Sequence, residues 1–169
     1  MSKKRGTAIG LCLAIALVGL GAQAQPVAPA ANPFSDLPGS WNGTGTIALA
    51  NGTTERLRCQ ATYQLVSGGT TLQQSLRCAS DSYSFDLRAD VELQGASLAG
   101  TWMDVSRNAG GRISGQAIRG QIQAVVQGPG FSAGLALVTR GNQQSVNIRS
   151  QGTELSQVSI VLRRTAPRQ

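Results

Sequence analysis

The stretch GSWNGTG, residues 39–45, begins the first predicted strand and is rich in glycine. Counting by twos from Trp41 places Gly43 and Gly45 on the same face as the tryptophan, and that face is predicted to point inward. Glycine inside a strand weakens it but permits the sharp bending that closure of a small barrel requires. Glycine recurs inside a later predicted strand, at Gly100. We therefore expect a strongly bent sheet whose inner face begins with Trp41.

Alternating polarity continues along the chain after this stretch, as expected for half-buried strands. One face of the second predicted strand carries Leu57, Cys59, Ala61, Tyr63 and Leu65. Glycine and asparagine separate the runs, and such short links join antiparallel neighbours. A meander of this kind either closes or leaves exposed edges. The sequence therefore predicts an all-β fold: a single closed or nearly closed antiparallel up-and-down β-barrel of eight to ten strands, with an extended N-terminal arm.

The first 24 residues have the features of a secretory signal peptide. A basic MSKKRG precedes an apolar run that ends in Ala22-Gln23-Ala24, which is typical of a cleavage site. The apolar run is shorter than the about 20 residues of a membrane span. We expect cleavage after Ala24 and a periplasmic or secreted protein. Residues 25–38 hold four of the six prolines and are predicted as an arm or linker, residues 39–165 as the barrel and residues 166–169 as a tail.

Two cysteines, Cys59 and Cys78, remain once Cys12 has left with the signal peptide. An even pair in an exported chain indicates one disulfide. The two positions are equally far from a predicted turn near residues 67–70, so they can face each other on adjacent strands.

The composition lacks residue types that many catalytic sites use. The chain has no histidine, and after removal of the signal peptide it has no lysine. These absences remove histidine-based triads, Schiff-base lysines and the commonest metal ligand. The carboxylates Asp86, Asp90 and Glu92 share an outward face with arginines, which is typical of a solvated strand. The sequence thus predicts no enzyme, no metal and no cofactor. The arginines are scattered singly, so nucleic-acid binding is not favoured.

The triplet Gly39-Ser40-Trp41 resembles the G-x-W that starts the first strand of the calycins, which include lipocalins, fatty-acid-binding proteins, avidins and bacterial metalloprotease inhibitors. The resemblance implies that Trp41 plugs one barrel end and that a basic residue of the last strand covers it. Parity places Arg164 on the same face as Ile160 and Leu162, so Arg164 is the residue expected over Trp41. The same spacing recurs at Gly100-Thr101-Trp102, which is predicted as another glycine-bent strand with a core tryptophan.

Three functions fit these features. The first is an exported, non-catalytic binding module for a small, mainly apolar ligand, because many inward residues are small and could leave a cavity. A barrel that fills itself is the alternative interior. The second is a protein-interaction module, such as a periplasmic metalloprotease inhibitor that uses the arm. The third is a cell-envelope structural protein without a ligand. The residues expected to contact an apolar ligand are Tyr63, Leu65, Phe85, Leu87, Phe131 and Leu135.

Overall fold

Residues 31–166 of the computed structural model are described here, and they form one β-barrel. The strands are β1 (Gly39–Leu49), β2 (Thr54–Val66), β3 (Thr71–Ala79), β4 (Ser84–Gln94), β5 (Ser97–Asp104), β6 (Ala109–Ile118), β7 (Gln121–Gly128), β8 (Phe131–Arg140), β9 (Gln143–Gln151) and β10 (Leu155–Arg164). A short 3-10 turn, Ser67–Gly69, joins β2 to β3.

Each strand pairs in antiparallel fashion with its neighbours in sequence, and β10 pairs back onto β1. This arrangement confirms the predicted closed up-and-down barrel, with the largest of the predicted strand numbers. Because the barrel is closed, no strand in it presents a free edge.

The seam between β1 and β10 explains the glycines of the opening stretch. Gly43 lies opposite Leu162, and a Cβ atom at Gly43 would lie 1.9 Å from the carbonyl oxygen of Val161. A Cβ at Gly45 would lie 2.3 Å from the carbonyl oxygen of Ser159. The backbone of β10 therefore packs directly onto β1, and a side chain at either glycine would push the seam apart.

The two faces of the sheet separate apolar from charged residues, as the alternation predicted. Apolar residues from every strand point into the barrel, and the core includes Trp41, Leu57 and Leu162. Most charged side chains lie outside, and Arg77 and Asp86 form an ion pair across β3 and β4 at 3.0 Å. Parity alone thus identifies the inner face.

Residues 32–38, here called the plug segment, belong to the predicted N-terminal arm. They form a turn rather than an extended chain, because the side chains of Phe34 and Leu37 are buried in the barrel core. The Nδ2 atom of Asn32 donates a hydrogen bond of 2.7 Å to the carbonyl of Gly69, which anchors the turn to the β2–β3 connection. The predicted signal peptide, residues 25–30 of the arm and residues 167–169 of the tail lie outside the described residues.

Within residues 31–166, no helix has the length and hydrophobicity needed to cross a membrane.

Candidate functional site

The barrel end at which β1 begins and β10 ends is filled by side chains, and we call it the closed end. Trp41 is 0% exposed, and its indole N–H donates to the carbonyl of Leu37 at 2.9 Å. The guanidinium of Arg164 lies over the indole, 4.3 Å from the ring centroid. Arg164 also donates to the carbonyl of Asp36 at 2.6 Å and to that of Pro38. Trp41 and Arg164 therefore hold the plug segment onto the barrel, together with the Asn32 hydrogen bond and the buried side chains of Phe34 and Leu37.

A neutral polar layer lies inside the barrel at the same end. The hydroxyl of Tyr63 donates to Oε1 of Gln144 at 2.8 Å, and Nε2 of Gln144 donates to Thr139 at 3.2 Å. All three side chains are buried. Burial raises the pKa of Tyr63, and the hydrogen bond to Gln144 opposes that shift only partly. Tyr63 consequently stays neutral, and the layer fixes the position of its ring.

Below this polar layer the barrel interior is hollow, and its lining side chains are least buried toward the opposite end, in the part that we call the hollow half. A cavity of about 480 Å³ extends from Phe34 and Tyr63 toward the opposite end. It reaches Arg107, Thr153 and Glu154, which are exposed to solvent. We call this opposite end the open end. The apolar residues around it are only partly buried, although they point inward: Tyr83, Phe85, Leu87, Trp102, Ile113, Leu135, Ile148, Leu155 and Val158.

Aromatic rings form part of the cavity wall. The rings of Trp102 and Phe131 meet edge to face, with centroids 5.6 Å apart and an interplanar angle of 61°. The indole N–H of Trp102 donates to the carbonyl of Gln127 at 2.9 Å. This hydrogen bond occupies the only polar atom of the indole, so the wall presents an apolar surface to the cavity.

A charged pair lies at the mouth of the cavity. Asp104, at the end of β5, is 4% exposed, and it accepts a hydrogen bond from Arg107 at 2.7 Å. Burial disfavours the ionised carboxylate, but hydrogen bonds from Ser106 and Arg107 outweigh it, so the pKa of Asp104 is lowered. The guanidinium of Arg107 also lies 5.0 Å from the ring centroid of Phe85 and donates to the carbonyl of Ser84. The pair thus joins the β5–β6 turn to the start of β4.

The disulfide Cys59–Cys78 links β2 and β3, with 4.1 Å between the Cα atoms. The two cysteines are direct partners in the register of these strands. Cys78 also borders the cavity. The link therefore braces the wall of the hollow half.

The structure brings most of the sequence-derived ligand candidates together around one space. Phe85, Leu87, Phe131 and Leu135 line the hollow half, and Tyr63 borders the cavity from the closed end. Leu65 does not line it, because it lies near the end of β2 at the closed end. Whether these residues bind a ligand stays a prediction.

Sequence reasoning missed three of the residues that define the site. Parity predicted Trp102 as a core residue, whereas its ring forms the cavity wall. Asp104 continues the inward parity of Trp102, and this pattern was the available signal for a buried carboxylate. Arg107 lies in the turn between β5 and β6, where strand alternation carries no information about side-chain direction.

Comparisons with known proteins identify the fold and leave the family open. No protein-family model matches the sequence, and no curated protein is significantly similar to it. Among solved structures, Rv2717c from M. tuberculosis superposes with a TM-score of 0.65 at 15% identity, covering 83% of this chain and 99% of that one. A protein of unknown function from the DUF3598 family of Nostoc punctiforme gives 0.57 at 15% identity, covering 77% of this chain and 48% of its own.

A third similar structure is the S-type phycobiliprotein lyase CPES from Guillardia theta, with a TM-score of 0.56 at 10% identity, covering 80% of this chain and 92% of that one. These neighbours support the closed antiparallel barrel fold and assign no family to this chain.

The lyase contradicts the prediction that this chain is not an enzyme. That prediction rested on the absence of histidine and lysine, and it treated the barrel as a binding scaffold only. A barrel of the same fold belongs to a protein named as a lyase, so the exclusion was wrong. Missing residue types remove particular mechanisms, and they do not remove catalysis as a class.

Proposed function

We propose that this protein is an exported barrel that holds a small, mainly apolar molecule in the hollow half of its interior. The cavity of about 480 Å³ carries the proposal. Its size falls in the range of about 300–1,000 Å³ that is usual for small-molecule sites. Its walls are largely apolar and partly exposed. A ligand that displaces water from these walls buries their apolar surface, which favours binding by about 25 cal/mol per Å² of surface buried.

The asymmetry of the barrel supports this function over the alternatives. A structural barrel without a ligand would gain from filling its interior, because close-packed interiors maximise dispersion contacts. The protein-interaction alternative depended on a protruding arm. Residues 32–38 are folded into the closed end instead, so the cavity offers the better-supported binding surface.

Export is the second part of the proposal. The sequence of residues 1–24 has the pattern of a signal peptide, and a disulfide within the barrel suits an oxidising compartment. Intact mass of the protein isolated from cells that produce it should correspond to a chain that begins at Gln25. Retention of residues 1–24 in the folded protein would contradict export by cleavage.

A pair of substitutions on β8 tests the binding site. Ala133 is buried and lines the cavity, whereas Ala136 of the same strand is exposed outside the barrel. We expect Ala133→Phe to weaken binding of dodecanol or N-phenylnaphthylamine by about tenfold or more, because the new ring takes up part of the space that the ligand needs. Ala136→Phe should leave both affinities unchanged. Absence of any binding to the unmodified protein, or equal binding by both variants, would contradict the proposal.

A further inference from the structure

Most of the aromatic residues of the chain lie around the cavity. The chain has only two tryptophans, two tyrosines and three phenylalanines. Six of these seven side chains line the cavity, and Trp41 is the exception. Leucine, isoleucine and valine alone could enclose a flexible aliphatic chain. The concentration of rings therefore points to a more specific kind of ligand.

Two of the rings are placed on β5 and β8 at the hollow half. Trp102 and Phe131, with the glycines Gly111 and Gly128 beneath them, form what we call the aromatic wall. Trp102 is the register partner of Gly111 on β6, and Phe131 is the partner of Gly128 on β7. The two rings can therefore meet over β6 and β7, because Gly111 and Gly128 have no side chain between them.

The glycines fix where the rings lie. A Cβ atom at Gly128 would lie 2.3 Å from Cε1 of Phe131 and 3.0 Å from Cζ2 of Trp102. A Cβ atom at Gly111 would lie 2.9 Å from Nε1 of Trp102 and 1.8 Å from the carbonyl oxygen of Gln127. Both rings therefore pack directly on the backbone of β6 and β7. Any larger residue would displace them into the cavity.

We propose that the ligand carries a flat ring system that packs against the aromatic wall, with its polar part toward Asp104 and Arg107 at the mouth. This inference rests on the proposed function and specifies the ligand class. Aromatic rings attract one another edge to face or offset, at centroid distances of about 4.5–7 Å. Both rings already pack on backbone and on each other, so little side-chain freedom is lost when a ligand ring packs on the wall.

The experiment compares two probes on the full mature protein by isothermal titration calorimetry. N-phenylnaphthylamine carries flat rings, whereas dodecanol is a flexible aliphatic alcohol. We expect Trp102→Leu to weaken N-phenylnaphthylamine binding by about tenfold and dodecanol binding by less than about twofold, because leucine keeps apolar area and loses the ring. Trp102→Phe should restore most of the lost affinity for N-phenylnaphthylamine.

Met103 provides the matched control. It is the next residue on β5, it points outward, and it is exposed. Met103→Leu should change neither affinity. Phe131→Leu is the second variant, and it should reproduce the selective loss if Trp102→Leu fails to fold, which far-ultraviolet circular dichroism will show.

The possible results distinguish failure of the ring preference from failure of the proposed cavity binding. If the unmodified protein binds dodecanol as well as the ring probe, and Trp102→Leu and Phe131→Leu weaken both equally, the ring preference is wrong and cavity binding stands. If the unmodified protein binds neither probe, the proposed function fails and the ring preference fails with it. A selective loss of the ring probe supports both.

Discussion

Two G-x-W triplets, Gly39-Ser40-Trp41 and Gly100-Thr101-Trp102, lie at opposite ends of the barrel and have opposite surroundings. Both tryptophans point inward, and both indole N–H groups donate to a backbone carbonyl at 2.9 Å. Trp41 is fully buried, whereas Trp102 is half-buried beside a cavity. The local motif is therefore not what distinguishes them.

Residues distant in sequence cause the difference. The closed end gains the plug segment and Arg164, whose hydrogen bond to the carbonyl of Asp36 spans 128 residues. The open end has no equivalent cover among the described residues, and its cavity reaches exposed turns. A barrel with one filled and one hollow end separates stability from binding, because core packing supports the fold at one end without occupying the space at the other.

The largest expected difference is between truncation of the two tryptophans. Trp41→Ala should lower the free energy of unfolding by about 3–5 kcal/mol, since it opens a cavity in a packed core. Trp102→Ala should cost about 1–2 kcal/mol, because its ring borders existing space. Urea denaturation followed by far-ultraviolet circular dichroism measures both. Equal costs would show that the two ends are packed alike.

Loss of the disulfide is the next largest effect. The cysteines are 19 residues apart, and closing a loop of that length stabilises the fold by about 3 kcal/mol in the chain-entropy model. The double variant Cys59→Ala/Cys78→Ala should lose about that amount in urea denaturation. Adding reductant should destabilise the unmodified protein and leave the double variant unchanged. Two titratable thiols in the native, exported protein would contradict the bond.

Arg164 and Arg163 test how the plug segment is held. Arg164 contacts Trp41 and two plug carbonyls, whereas Arg163 is exposed on the outer face. Arg164→Ala should cost about 2 kcal/mol, which combines the cation–π contact with hydrogen bonds from a charged donor. Arg163→Ala should stay within about 0.5 kcal/mol. Similar costs in urea denaturation would mean that the plug does not depend on Arg164.

The fold was more predictable than the site, for physical reasons. Alternation with period two and glycine-containing turns report local geometry, and they are sufficient for a closed meander. Parity also placed Arg164 on the face of Trp41, and these two residues are register partners. Phe34 and Leu37 lie in a proline-rich segment without periodicity, so their burial depends on tertiary contacts. Whether ten strands enclose a cavity depends on the sum of their inward volumes, which no single strand reveals.

The polar groups of the two ends differ in charge as well. Gln144 and Thr139 at the closed end are neutral amide and hydroxyl groups, whereas Asp104 at the open end is the only buried carboxylate among residues 31–166. Acid should therefore weaken the open end selectively.

The smallest expected effect tests this difference at Asp104. Its pKa in the folded protein is lowered below the ordinary value of 3.8, so the ionised carboxylate stabilises the fold at neutral pH. This stabilisation is complete above the ordinary pKa and is lost as the pH falls through the lower folded value. Asp104→Asn should therefore cost about 1–2 kcal/mol at pH 7, with a cost that shrinks below about pH 4.

Glu92, exposed on the outside of β4, is the control, and Glu92→Gln should change stability by less than about 0.5 kcal/mol at neutral pH. Urea denaturation at pH 7 and below about pH 4 measures the free energy of unfolding of both variants. A cost for Asp104→Asn that stays constant into acid would mean that its charge does not stabilise the mouth. Because Arg107 bonds to Asp104 and packs on Phe85 of the cavity wall, loss of that charge should also free Arg107 and loosen the mouth before the closed end is affected.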